Sequence, residues 1–312
     1  MAISYLSGGR IQGTTTDLLY MGNSTTARGV FAGGYTGSAY INVMEYITIS
    51  TAGNVTDFGD LVSNRASAAG TNNGTRGIIA GGYESGDSDV IDYITIATTG
   101  NGTDFGNLSL ARQALAGNMH NGTRGVFATG NAIATAFSNV IDYVTIASTG
   151  NATDFGDAVT GVYEGTASFN NSTRGVYCGG YSASGVINSI EYITIASTGN
   201  GTDFGDLAGA TYNNFGVDNG SRGVEAGGEA SGCKALMQYV TIATTGNATT
   251  FGDLTQCRSN ASGVQDSVRG VFGGGQYYNI IDYITIANTG NASDFGDLSG
   301  SHTSVAGVDN TA

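Results

Sequence analysis

The chain has 312 residues, of which 52 are glycine and none is proline or tryptophan. Collagen, which needs Gly and Pro at a period of three, is excluded, and so is a disordered Pro/Gly/Ser chain, because 40% of residues are hydrophobic and 17 are Tyr. With 11 basic against 25 acidic residues the net charge is −14, which argues against a nucleic-acid or anionic-membrane surface.

Residues 1–27 read as an N-terminal extension or as ring-closing strands. Met1-Ala2-Ile3-Ser4-Tyr5 lacks the basic and apolar regions of a signal peptide. Ile3 to Gly9 echoes a glycine-pair strand found later, and Leu18 to Gly22 echoes a weak apolar segment. No apolar run is long enough for a transmembrane helix.

From residue 28 onward the chain repeats. Arg-Gly recurs at Arg28, Arg76, Arg124, Arg174, Arg222 and Arg269, at intervals of 48, 48, 50, 48 and 47. Each Arg-Gly opens an apolar strand that ends on a glycine pair such as Gly81-Gly82, with Thr129-Gly130 in the third copy. A variable loop follows, then an apolar-acid-Tyr strand such as Ile91-Asp92-Tyr93, a Thr-Gly-Asn turn, and Thr-Asp-Phe-Gly. A weak small-residue segment leads into the next Arg-Gly. Calling the weak segment a and the others b, c and d gives four short strands per unit, all β-branched or aromatic and bounded by Gly, Asn and Ser. A period of about 48 residues with four strands predicts an all-β propeller of six four-stranded blades over 28–312. Segment a recurs seven times, counting both Leu18-Leu19-Tyr20-Met21-Gly22 and Ser304-Val305-Ala306-Gly307, so a seventh, incomplete blade built from the termini is the alternative.

The order of apolar strand, Gly-Gly, loop, apolar-acid-Tyr strand and aromatic strand resembles a kelch repeat. It departs in carrying Phe58, Phe105, Phe155, Phe204, Phe251 and Phe295 in place of the kelch Trp. The repeated phrase, with consensus Tyr-Ile-Thr-Ile-Ala-Ser-Thr-Gly-Asn-Ala-Thr-Asp-Phe-Gly-Asp-Leu, resembles repeats of tail-fibre-like virion proteins of marine bacteriophages. That resemblance implies a non-catalytic structural or interaction protein of a virion, partnered by other virion proteins. A host-surface glycan adhesin is the alternative, and a propeller hydrolase or oxidase a third reading.

The six repeat arginines read as a structural ring, braced by the recurring acids Glu45, Asp92, Asp142, Glu191 and Asp282 on strand c and Asp57, Asp104, Asp154, Asp203 and Asp294 on strand d. Repeat five has Gln238 and Thr250 at these positions, so Glu225 or Glu229 is expected to supply the counter-charge to Arg222; otherwise this repeat, with Cys233 and Lys234, is a specialised ligand site. Asp60, Asp157, Asp206, Asp253 and Asp297, with Asn107, read as turn-closing residues or backbone N–H acceptors, not as a calcium ring.

Catalytic residues, metal and cofactor are expected to be absent. His120 and His302 read as turn residues in equivalent weak segments, and Cys178, Cys233 and Cys257 are odd in number without CxxC spacing, against a disulfide framework or zinc site. The sequons at Asn73, Asn101, Asn121, Asn151, Asn200, Asn247 and Asn291 read as turns. Binding is expected in the variable b–c loops, where Tyr40, Tyr83, Phe137, Tyr181, Glu229, Lys234, Tyr277 and Tyr278 suit sugar stacking or protein contact.

Overall fold

The structure, a computed structural model, describes residues 5–6, 10–11 and 27–311. Among them there is no helix. Six antiparallel blades of four strands form a propeller, each running inner to outer in the order a, b, c, d, and the sheet of blade 3 is extended by the short hairpin Tyr181–Ser182 and Gly185–Val186, which pairs with Val162. Blade 2 is typical, with strands Ala69–Asn72, Arg76–Ala80, Val90–Thr95 and Thr103–Asn107. The glycine pair lets strand b end in a left-handed bend against the neighbouring blade. Gly81 has φ 70°, and a Cβ there would sit 2.6 Å from the Arg112 carbonyl oxygen.

Ring closure excludes a seventh blade. Strand a of blade 1 is the C-terminal Ala306–Asp309, paired antiparallel with Arg28–Tyr35 in the register Val308↔Val30. Pairing the C-terminal strand into the first blade leaves no open blade edge at the seam. In the N-terminal extension, Tyr5–Leu6 pairs with Arg10–Ile11 in a separate two-stranded sheet. The remaining echoes, including Leu18 to Gly22, lie outside the described residues.

The apolar core lies between blades. Val30, Met44, Phe58 and Leu61 of blade 1 pack on Ile79, Ile94 and Ile96 of blade 2, and the other five interfaces repeat the arrangement. Both faces of every blade are thus buried, which explains the near-continuous apolar strands. On strand d the Phe is a β-bulge. In blade 2, Ile91 pairs with Gly106 and Asp92 with Asp104, leaving Phe105 as the extra residue, 2% exposed. All six blades carry this bulge.

The Thr-Gly-Asn turn of each blade covers the outer edge of the one before. Gly199 and Gly201 donate their N–H groups to the Phe155 and Asp157 carbonyls, and Asn200 Oδ1 accepts the Asp157 N–H at 3.0 Å. Asn101, Asn151, Asn247, Asn291 and Asn54 accept the equivalent bonds. The backbones meet so closely that a Cβ on Gly156 would lie 2.6 Å from the Gly199 oxygen. Asn73 and Asn121 instead fold the a–b turns, accepting from Arg76 N–H and Arg124 N–H at 2.8 Å.

Candidate functional site

The six repeat arginines are not paired with the recurring acids. Each guanidinium lies over the Tyr of its own strand c, with the carbon 4.1–4.3 Å from the ring centroid: Arg28 over Tyr46, Arg76 over Tyr93, Arg124 over Tyr143, Arg174 over Tyr192, Arg222 over Tyr239 and Arg269 over Tyr283. Each donates onward to a carbonyl of the next blade, as Arg28 does to Ile96 at 3.1 Å and Arg269 to Ile49 at 3.0 Å. The Tyr in turn meets the bulged Phe edge-on, for example Tyr46 and Phe58 at 6.1 Å. The brace runs from guanidinium to backbone, because the blade beneath offers an aromatic face and the next blade an unpaired carbonyl.

The strand-c acids instead act as cross-blade acceptors. Asp92 accepts the Val62 N–H, Asp142 that of Ser109, Glu191 that of Val159, Asp282 that of Thr255 and Glu45 that of Ser299. Gln238 accepts the Ala208 N–H at 2.7 Å, so the position needs an oxygen and not a charge. At three interfaces a different arginine completes the bond: Arg65–Asp92 at 2.9 Å, Arg112–Asp142 at 2.8 Å and Arg258–Asp282 at 3.0 Å. These are the ion pairs among the described residues, and all six side chains are buried. The strand-d acids Asp57, Asp104, Asp154, Asp203 and Asp294 are exposed. The Asp60-type position contributes its backbone N–H to the neighbouring Asn, as Asp60 does to Asn101 at 3.1 Å.

Neither Glu225 nor Glu229 serves Arg222, which lies over Tyr239 and donates to the Ile286 and Ala287 carbonyls. Glu225 occupies the buried interface position held by Phe127 or Tyr177 in other blades, and accepts from Asn214 at 3.1 Å and Gln238 at 3.2 Å. Burial pushes its carboxyl up to about 7. Cys233 and Cys257 form a disulfide with Cα atoms 5.5 Å apart, contrary to the expectation from spacing, while Cys178 is free and buried. Cys233 precedes strand c of blade 5 and Cys257 follows its strand d, so the c–d hairpin, paired Leu236↔Asp253, brings them together. The histidines are not equivalent either: His120 ends strand a of blade 3, and His302 ends strand d of blade 6.

The b–c loop face holds the candidate site. Four blades surround an off-axis cavity of about 310 Å³. Tyr35 and Tyr40 come from blade 1, Tyr83 from blade 2, Tyr277 and Gln276 from blade 6, and Glu229 from blade 5. The tyrosines form a continuous chain, with centroids at 6.2 Å for Tyr277–Tyr35, 4.8 Å for Tyr35–Tyr40 and 5.7 Å for Tyr40–Tyr83. Burial raises the Tyr40 hydroxyl above its ordinary range, so it stays a neutral donor and acceptor. Glu229 faces them in a polar network, accepting from Ser259 Oγ, from Gln276 Nε2 at 2.9 Å and from Tyr212 OH at 3.2 Å. The Cys233–Cys257 disulfide stands beside both Lys234 and the Arg258–Ser259 segment, and so ties the Glu229 loop to its partner Ser259.

Of the loop residues singled out in the sequence, Tyr40, Tyr83, Tyr277 and Glu229 meet in this cavity. Phe137 packs on Tyr163, Tyr181 on Tyr212, Lys234 Nζ donates to the Ala210 carbonyl at 2.6 Å, and Tyr278 begins strand c of blade 6. The sequence reading passed over Tyr35, Ser259 and Gln276. A signal was present for Tyr35, which follows the same glycine pair as Tyr83. None existed for Ser259 and Gln276, because their partner Glu229 lies 30 and 47 residues away.

At the opposite mouth a larger funnel of about 740 Å³ is lined by the a–b turns. Its floor includes His120, Asn170, Asp218 and Gln265. Asn118, on a bulge in strand a of blade 3, reaches across the channel, donating to Asp218 at 3.3 Å and accepting from Gln265 at 3.4 Å. Among the described residues no three His, Cys, Asp or Glu side chains are grouped to hold a metal ion. No protein-family model and no curated protein matches this chain in sequence, so the geometry of the six-bladed ring and its tyrosine-lined cavity carries the functional argument.

Proposed function

We propose that this propeller is a non-catalytic recognition module that takes a carbohydrate on its b–c loop face. The observation that carries the reading is the chain of four tyrosines facing Glu229 and Gln276 around a cavity of about 310 Å³, at the lower end of ordinary ligand-site volumes. Aromatic faces stack on the apolar faces of sugar rings, while the phenol, amide and carboxylate groups match ring hydroxyls. A non-catalytic role is supported by how the acids are used: the strand-c acceptors in all six blades are spent on cross-blade bonds. The test is a glycan array followed by calorimetry on the best ligand. Tyr40→Ala and Tyr277→Ala are expected to weaken binding at least tenfold with an unchanged melting temperature; unchanged affinity in both overturns the reading.

We place this module in a larger particle, as a fibre, knob or decoration component of a bacteriophage virion. That context is supported by the resemblance of the Tyr-Ile-Thr-Ile repeat phrase to virion proteins and by the construction of the ring, in which each blade edge is covered by its neighbour. Mass spectrometry of purified particles tests it: the protein is expected at stoichiometric abundance, and its absence from particles overturns the assignment.

A further inference from the structure

Resting on the carbohydrate reading, we infer that the tyrosine-lined cavity selects by charge and takes a protonated amino sugar in preference to its N-acetylated form, rejecting uronic and sialic acids. The wall opposite the tyrosines is the Glu229 carboxylate. Its partners, Ser259 Oγ, Gln276 Nε2 and Tyr212 OH, are all neutral, so they orient the carboxylate without cancelling its charge. Two further acids frame the same face. Asp87 accepts from Gln113, a residue of the cavity wall, at 3.1 Å. Glu164 accepts from Asn213 at 3.4 Å, and burial, then the Glu229 charge, push its carboxyl up.

Among the described residues none of these three acids forms an ion pair. Among the described residues no Lys or Arg lines the cavity. Lys234, the basic residue of the blade 5 loop, has its ammonium bound to the Ala210 carbonyl, and Arg65 is buried against Asp92. The tyrosine faces add to the same field, since the π-quadrupole attracts cations and C–H groups and repels anions. A saccharide bearing an ammonium beside its hydroxyls therefore fits both walls: the ring stacks on the tyrosines and the ammonium reaches the Glu229 side. An N-acetyl group would set a neutral methyl there, and a sugar carboxylate would meet like charge.

The experiment is calorimetry at pH 6 and low salt with the intact chain, using chitosan tetrasaccharide, its fully N-acetylated counterpart and tetragalacturonate. The amino form is expected to bind at least tenfold tighter than the N-acetylated form, with no heat from the uronate. Glu229→Gln is expected to abolish the preference for the amino over the N-acetylated form, read as the ratio of the two affinities, and half-molar salt to reduce it. Glu164→Gln, outside the direct wall, serves as a second variant should Glu229→Gln lower the melting temperature, and is expected to weaken the preference severalfold. Equal binding of both neutral and amino forms, or a preference that survives both variants, overturns the charge inference and leaves the carbohydrate reading standing. Failure of all three saccharides overturns the charge inference, and only a blank glycan array overturns the carbohydrate reading with it.

Discussion

Arg112 Nη1 lies 2.8 Å from Asp142 Oδ2, across the interface of blades 2 and 3, with neither side chain exposed to solvent. The same arginine also donates to the Thr129 and Phe127 carbonyls, so its charge is surrounded by acceptors from one neighbour. Burial lowers the Arg112 pKa, opposed by Asp142, and removing the acid would leave the guanidinium desolvated without a counter-ion. Asp142→Asn is therefore expected to cost about 3–5 kcal/mol. The chain itself supplies the rescue. At the interface of blades 3 and 4 the arginine position is Val162, at the end of strand d of blade 3, and Glu191 is bonded instead to Tyr177 OH at 2.7 Å. Arg112→Val combined with Asp142→Asn should recover much of the loss in urea denaturation, and a double variant as unstable as the single one would contradict this account.

The guanidinium–tyrosine stacks should be worth less individually. Arg124 lies 4.1 Å above Tyr143 and donates to the Ile195 carbonyl at 3.0 Å. A partly exposed stack and one net hydrogen bond together contribute about 1–3 kcal/mol. Arg124→Ala should lower stability by that amount. Arg124→Lys should recover less than half, because an ammonium cannot lie flat on the ring and hold the planar donor toward blade 4. Thermal denaturation of the two variants measures the difference, and equal stability of Lys and wild type would refute the planar-brace argument.

Stability should fall as pH rises through the acid-to-neutral range on account of the channel acids. Burial pushes Asp218 up to about 7 and Asp309 up to about 6. An acid whose folded pKa exceeds its unfolded value stabilises the fold below the unfolded value, near 4, and that contribution is lost as pH climbs to the folded value. Burial also lowers His120 to about 4, which acts in the opposite sense, its contribution being lost as pH falls from about 6.5 to 4. The two carboxyls outweigh the one imidazole. Asp218→Asn should remove one carboxyl's share, on the order of 2–4 kcal/mol of pH dependence between pH 4 and 7, while keeping the acceptor for Asn170 N–H. Melting temperatures of both proteins at half-unit pH steps would show parallel curves if Asp218 were not responsible.

Reduction should loosen the binding face before the ring. Cys233 and Cys257 are 24 residues apart, a separation for which a cross-link stabilises by about 3 kcal/mol. The paired segments carry Glu229 and its partner Ser259. Cys233→Ser is expected to speed hydrogen exchange in residues 229–237 and 255–260 more than in the b strands, and to weaken ligand binding. Uniform acceleration around the ring would refute a local role.

Several features were legible in the sequence because they are local and repeated. The 48-residue period and the Arg-Gly strand recur once per blade, and the glycine pair and the Thr-Gly-Asn turn in five of the six, so the fold class followed from counting. The partners of the repeated charges were not legible. Arg28 and Glu45 recur in phase, and in-phase opposite charges invite pairing. The bulge at Phe58 instead turns the acid toward the neighbouring blade, while the Arg lies across Tyr46. Gln238 showed in the sequence that one position tolerates a neutral residue, yet only the Ala208 bond explains why.

The sequence by itself determined that the chain is an all-β propeller built from strands of one repeated design, because turn chemistry and strand periodicity act over a few residues and six copies reinforce one signal. The tertiary structure alone decided that there are six blades and not seven, since the closing strand Ala306–Asp309 could pair with any free edge until the ring geometry brought it to Arg28–Tyr35. It also decided the site. Tyr40, Tyr83, Tyr277 and Glu229 stand in four different repeats, and only curvature into a closed ring sets their loops around one cavity.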